Sequence, residues 1–234
     1  MLRGKVVVVE GIIGAGKSSF SEELSGFLGG DTLYLREPDE KDGGNPYLAD
    51  FYEDQSRWAF TMQTHLLQKR YKMHLHAQWH AMTSGANAVL DRSYFGDTAF
   101  ARLQVKTGTM TADEFKTYQG IYHAMTASVL LPTVCVHLEV SPEISARRIK
   151  KRMEARTGRT CESAIDLEYL YDLQQEENIM VDTLQRQGVK TISVPWNADR
   201  SSTYDRLPII TEVANEILDY RPADMFLDLH RRTI

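Results

Sequence analysis

One stretch constrains this chain more than any other. Gly11-Ile12-Ile13-Gly14-Ala15-Gly16-Lys17-Ser18 fits the pattern GxxxxGKS at every fixed position, and Ser19 extends it. Ahead of it, Val6-Val7-Val8-Val9 is short, β-branched and bounded, which reads as a buried strand. Behind it, Lys17 to Leu28 reads as a helix that stops at Gly29-Gly30. A strand, a glycine-rich turn and a helix in that order bind anions. The glycines let the backbone N–H groups point inward, and the helix N-terminus adds partial positive charge. Lys17 is expected to reach the β- and γ-phosphates of a nucleotide, and the Ser18 hydroxyl to ligate Mg²⁺. The competing reading, a strand-to-helix turn that binds nothing, is disfavoured by eight matching residues in the required context.

The rest of the chain continues the alternation. Strands are predicted at Thr32–Leu35, Ala88–Leu90, Thr133–Val140 and Thr191–Val194. Helical patterns cover Arg57–Met82, two segments within Asp97–Leu130, a basic helix from Ser141, Leu167–Gln187 and Pro208–Leu218, with a loop marked by Gly43, Gly44 and Pro46. This order predicts an α/β fold with a five-stranded parallel sheet and helices on both faces. We expect a single domain over residues 1–221 and a C-terminal tail over 222–234.

Composition narrows the function. The 234 residues carry a net charge of −5, which argues against a duplex-binding surface. No apolar run reaches the ~18 residues that span a bilayer. The chain enters its first strand at Lys5, so no leader segment is expected and the protein reads as soluble and cytoplasmic. Cys135 and Cys161 form no CxxC pair, and Cys135 reads as core. His76 and His80 share a helix face without a third ligand, so no metal is assigned to them. A GTPase would need an N/TKxD segment, and the sequence has none.

Two strands end in charge: Leu33-Tyr34-Leu35-Arg36-Glu37-Pro38 and Val89-Leu90-Asp91-Arg92-Ser93. Ligands of such sheets bind at the carboxyl ends of the strands. Phosphoryl transfer needs a group to orient and deprotonate the attacking hydroxyl and cations to absorb charge. Glu37 suits the base, Asp91 the magnesium shell, and Arg92 the acceptor oxygen or the moving phosphoryl group. The basic run Arg147-Arg148-Ile149-Lys150-Lys151-Arg152, with Arg156 and Arg159 beyond, is either a solvated face or a lid that closes over phosphates. The triphosphate implied by the P-loop favours the lid.

Together these residues resemble the deoxynucleoside kinase family, over Val6 to about Trp196. Glu10-Gly11 to Ser19 looks like its P-loop and Glu37-Pro38 like its EP motif. Asp91-Arg92-Ser93 is similar to its (D/E)RS motif, and Ile165 to Leu170 to its IPLEYL segment, with Asp166 in place of the proline. Tyr52 and the run Arg57 to Thr64 look like its nucleoside-binding helix, and Asn45 to Leu48 with Phe51-Tyr52 like its bacterial purine-type members. The resemblance implies a kinase that transfers phosphate from ATP, with Mg²⁺, to the 5′-hydroxyl of a deoxynucleoside, in nucleotide salvage. It implies Gln63, Arg70 and Asp97 at the base, Phe100 stacked on it, and Tyr52 and Glu162 at the sugar 3′-hydroxyl. Arg148 and Arg152 fall on its lid arginines, in a lid of about residues 148–164. It further implies a homodimer pairing Arg57–Met82 and Ala112–Leu130, a preference for deoxypurines with deoxycytidine tolerated, and no nucleic-acid or membrane partner. A nucleoside monophosphate kinase of thymidylate-kinase type and a P-loop regulatory protein remain the alternatives.

Overall fold

In a computed structural model, residues 4–38, 43–154, 165–198 and 203–221 are described. Five strands, β1 (Val6–Glu10), β2 (Leu33–Leu35), β3 (Ala88–Asp91), β4 (Val134–Glu139) and β5 (Lys190–Pro195), form one sheet in the order β2-β3-β1-β4-β5. Every pairing is parallel, with Val8 of β1 opposite Leu90 of β3 and Cys135 of β4. Among the described residues, eight helices cover it: α1 (Lys17–Phe27), α2 (Leu48–Glu53), α3 (Gln55–Thr83), α4 (Tyr94–Lys106), α5 (Ala112–Thr126), α6 (Pro142–Glu154), α7 (Leu167–Arg186) and α8 (Thr203–Asp219).

The β1 valines show why both faces are covered. Successive side chains point to opposite sides of a strand. Val7 and Val9 pack with Phe20 and Leu24 of α1 and Ile210 and Ile217 of α8. Val6 and Val8 pack with Leu67 of α3, Tyr94 of α4, Tyr118 of α5 and Leu184 of α7. A strand buried on both faces has no polar alternation, as the four-valine run announces.

The elements depart from the sequence reading in four places. Helix α2 lies where only a loop was expected; Leu48 and Phe51, one turn apart, are its buried face. It is separated from α3 by Asp54 alone, whose side chain caps α3 by accepting from the Arg57 N–H at 3.0 Å. Helix α4 begins at Tyr94, three residues earlier than expected, with Ser93 as its cap. Helix α8 begins at Thr203 and runs through Pro208, which was expected to start it. Helix α5 ends at Thr126, four residues short of the expected Leu130, and the remaining boundaries fall within two residues of expectation. Of the anticipated lid, residues 148–154 end α6. Residues 155–164, with Arg156, Arg159, Cys161 and Glu162, lie outside the described residues, as does the 222–234 tail. Among the described residues, no helix is long and apolar enough to cross a membrane.

Candidate active site

The loop after β1 is held by its neighbours' backbone. Gly14 sits at φ 78, and a Cβ there would lie 2.9 Å from the Ser145 carbonyl oxygen of α6. Gly16, at φ 93, stands where a Cβ would come 3.3 Å from the indole nitrogen of Trp196. Only glycine meets both demands without strain. Helix α1 has no side-chain cap and no acidic residue in its first turn. Its leading N–H groups therefore face the cleft as an anion site, which fits a nucleotide phosphate. The Lys17 ammonium donates to the carbonyls of Gly11 at 2.7 Å and Ile12 at 3.0 Å. Burial, helped by Arg92 and opposed by Glu37, Glu177 and Asp91, brings its pKa down to about 8.

Arg92 ties the site together. It is 2 % exposed and adopts a left-handed backbone at φ 68, a conformation that costs a residue with a side chain about 1–3 kcal/mol. Its guanidinium donates to the Gly11 carbonyl at 3.1 Å, reaches Glu177 of α7 at 3.4 Å, lies 3.1 Å from Glu37 and covers the Phe100 ring at 4.7 Å. Burial opposes its charge, but Glu37, Glu177, Glu10 and Asp91 outweigh it, and its pKa is raised. Glu37 also accepts from Arg70 at 2.6 Å, so two guanidiniums set its position. Arg70, itself buried, forms a second ion pair with Asp97, and the Gln63 amide donates to the Asp97 carbonyl at 3.2 Å.

Asp91 is wholly buried, and apart from the nearby Ser18 hydroxyl no hydrogen-bonding group serves its carboxylate oxygens. Burial and then the Glu37 charge raise its pKa, while Lys17 and the Ser18 hydroxyl pull it back. A hard cation beside Ser18 and Asp91 would satisfy those oxygens. Mg²⁺ takes few protein ligands and completes its shell with phosphates and water. The pair fits that requirement.

These elements enclose a cavity of about 240 Å³. Of the residues singled out from sequence, it is lined by Ile13, Gly14, Gly16, Lys17, Ser18, Ser19, Glu37, Tyr52, Gln63, Arg70, Arg92, Phe100 and Arg152. Gly11, Ile12 and Ala15 form the buried side of the loop, and Asp97 lies behind Arg70. Arg148 is not in the lining. Its guanidinium donates to the carbonyls of Ala15 at 3.1 Å, Trp196 at 2.8 Å and Ala198 at 2.9 Å, fastening α6 to the loop. Sequence reasoning gave no role to four side chains here, although Glu10 and Tyr169 lie in segments it singled out. Glu10 accepts from the Ser93 backbone N–H at 2.9 Å, and Glu177 pairs with Arg92; both are fully buried. Gln104 and Tyr169 line the cavity. Gln104 had a signal, one turn beyond Phe100 on the same helix face.

A parallel sheet with an anion loop at its centre, a carboxylate at the next strand end and a cleft between them define a P-loop phosphotransferase. The comparisons with known proteins narrow the class. The family model described as deoxynucleoside kinase matches residues 7–219, and the chain belongs to that family. It is 32% identical over 193 residues to a deoxyguanosine kinase of Dictyostelium discoideum, a match covering 82% of this chain and 64% of that protein. It is 35% identical over 164 residues to a deoxyadenosine/deoxycytidine kinase of Bacillus subtilis, covering 68% and 71%. Among solved structures, a deoxyadenosine kinase from M. mycoides with bound dATP aligns at a TM-score of 0.72 and 25% identity, covering 92% of this chain and 100% of that one.

Proposed function

We propose that the protein phosphorylates the 5′-hydroxyl of a deoxynucleoside, with ATP as donor and Mg²⁺ as its metal, and releases the 5′-monophosphate. The observation that carries this reading is Glu37, held by two arginines inside the cleft, with the phosphate loop on one side of it and Gln63 on the other.

The chemistry follows from those positions. Gln63, Arg70 and Asp97 take the polar edge of the base, and Phe100 supplies a ring against its face. Tyr52, with Glu162, holds the sugar 3′-hydroxyl. The 5′-hydroxyl proton passes to the Glu37 carboxylate as its oxygen bonds to the γ-phosphorus; the bond to the bridging oxygen breaks, and ADP leaves with that electron pair. The loop N–H groups, Lys17, Arg92 and Arg152 absorb the charge that spreads over the transferred group. Ser18 and Asp91 would hold Mg²⁺, which supplies charge neutralisation between the phosphates.

Asp97 can accept from an exocyclic amine, which adenine, guanine and cytosine carry and thymine lacks. A buried acceptor left facing a carbonyl is penalised, so deoxypurines are preferred, deoxycytidine tolerated and thymidine poor. On α3, Leu75, Trp79 and Met82 are 39%, 67% and 58% exposed at helical spacing. That apolar stripe supports the homodimer, and sedimentation of the Trp79→Glu variant against the wild type tests it. A kinase with these substrates would serve cytoplasmic nucleotide salvage, which fractionation of the activity tests. For the reaction itself, the chain is incubated with labelled ATP and each deoxynucleoside or deoxynucleoside monophosphate. Labelled deoxynucleoside monophosphate is expected; transfer only to monophosphates, or none, would overturn the reading.

A further inference from the structure

Gln104 is an anomaly in the cleft. It is 2% exposed, lines the cavity, and neither the oxygen nor the nitrogen of its amide has a hydrogen-bond partner. Its backbone carbonyl is engaged, accepting from the Thr109 and Met110 N–H groups at 2.9 and 3.0 Å, so the residue is firmly placed while its head group is left over. A buried amide without a partner has lost its hydrogen bonds to water and gained none in return. Apolar side chains share the cavity wall with it: Met62 and Leu66 from α3, and Phe100 from α4. A leucine or methionine would suit those neighbours better.

Its position says what the amide faces. The ring contacts of His74 with Tyr94 and the ion pair of Arg70 with Asp97 set α3 and α4 antiparallel. Gln104 lies seven residues beyond Asp97 on α4, and it lines the same cavity as Gln63 and Leu66 of α3. On α4, Asp97, Phe100 and Gln104 follow at i, i+3 and i+7 and share one face. The Asp97 end of that stripe is already paired with Arg70 and Gln63. The Gln104 end is unpaired, roughly 10 Å along the helix axis at 1.5 Å per residue.

We propose that Gln104 is a specificity-determining residue that reads a second polar edge of the base. This rests on the reading of the cleft as a deoxynucleoside site. A pyrimidine in the slot presents one polar edge, which Gln63, Arg70 and Asp97 take. A purine has a further polar edge, formed by ring nitrogens and their neighbouring substituents, and an amide supplies both a donor and an acceptor to it. Gln104 therefore favours deoxypurines over deoxycytidine, and the cost of its burial is offset only when a purine is bound.

The test is steady-state kinetics with deoxyadenosine, deoxyguanosine and deoxycytidine on the wild type and on Gln104→Met and Gln104→Leu, with a melting curve for each. The expected result is a loss of about tenfold or more in kcat/KM for at least one deoxypurine, mainly through KM. Deoxycytidine should change by less than about threefold, within the scatter of a lost apolar contact. The melting midpoint should stay level or rise. A purely structural glutamine would give the reverse, a lower midpoint and an equal loss for all three substrates, and that result overturns the proposal. So does unchanged purine kinetics, or failure of both variants to fold. A wild type that phosphorylates no deoxynucleoside instead sinks the reading of the site itself.

Discussion

At the Lys17 end of the cleft, Lys17, Arg92, Glu10 and Glu37 are tied to protein partners, and the Asp91 carboxylate is left for a cation. Arg92 reaches Gly11, Glu177 and Glu37; Glu10 takes the Ser93 N–H; Lys17 takes two loop carbonyls. At the Gln63 end the wall is made of side chains from α2, α3 and α4, and Gln104 is left with both amide atoms unpaired. The phosphate loop of the first end is backbone from one contiguous stretch, and its task is the same for any nucleoside triphosphate. The second is assembled from separate helices, and its unpaired groups are where a choice among bases can be made. Chemistry should therefore be lost by changes at the first end, and selectivity by changes at the second.

The largest effect tests the first half of that division. Glu37→Gln removes the proton acceptor while keeping shape, and its kcat should fall about 10²–10⁴-fold with deoxynucleoside binding retained. Lys17→Ala should fall comparably, through lost charge on the phosphates. A near wild-type kcat for Glu37→Gln would take Glu37 out of the mechanism. The second half is tested by the double variant Arg70→Met, Asp97→Ala. Thymidine should gain about tenfold or more relative to deoxyadenosine, because the buried acceptor no longer faces a carbonyl. No relative gain, or thymidine as the best wild-type substrate, would mean that the pair does not set the base.

Arg148 and Arg152 sharpen the boundary between the two ends. They are four residues apart on α6 and both resemble lid arginines, yet only Arg152 lines the cavity. Arg152→Ala should lower kcat about tenfold or more with an unchanged melting midpoint, as loss of transition-state charge stabilisation requires. Arg148→Ala should destabilise the fold by about 1.5–3 kcal/mol, since it holds three carbonyls with a charged donor. Denaturant melts beside kinetics at fixed temperature separate them. An Arg148→Ala protein of wild-type stability and poor turnover would return that residue to the phosphates.

How far the sequence reaches follows the same division. The loop was legible because its eight residues are contiguous and its glycines have a backbone reason. Glu37 and Asp91 were legible as carboxylates placed where strands end. The sheet was legible from the unbroken apolar runs of β1 and β3. Helix α2 was not, because six residues with two buried apolar positions carry almost no period, and they follow a Gly/Pro stretch. Glu177 was not, because a glutamate on an otherwise amphipathic helix reads as solvated, and only the fold brings Arg92 against it. Arg148 was misread for a related reason: its carbonyl partners Trp196 and Ala198 lie about 50 residues along the chain, beyond any local pattern.

The smallest effect concerns the scaffold behind the base slot, where two basic residues one turn apart on α3 are treated oppositely. Arg70 is paired with Glu37 and Asp97; burial lowers its pKa, the Glu37 charge opposes that, and a guanidinium stays charged. His74 faces the Leu130 carbonyl, the Gln78 amide and the rings of Tyr94 and Phe95. Burial brings its pKa down to about 4 from an ordinary 6.5, with only the Leu130 carbonyl favouring the charged form. Its Nε2 donates to Leu130 at 2.9 Å, so protonation would place a second N–H on Nδ1, which has no partner. Between those two pH values the unfolded chain binds a proton that the folded chain refuses, and stability rises with pH. The neutral ring's full contribution is thus present above pH 6.5 and is lost as the pH falls towards 4. At pH 5.5 the loss should be about 1.4 kcal/mol, one pH unit below the unfolded pKa. Urea unfolding at pH 7.5 and 5.5 measures it. The fall should be smaller by about that amount in His74→Gln, which keeps an amide donor for Leu130 and cannot titrate. An equal fall in both proteins would assign the acid sensitivity to the buried carboxylates around Arg92.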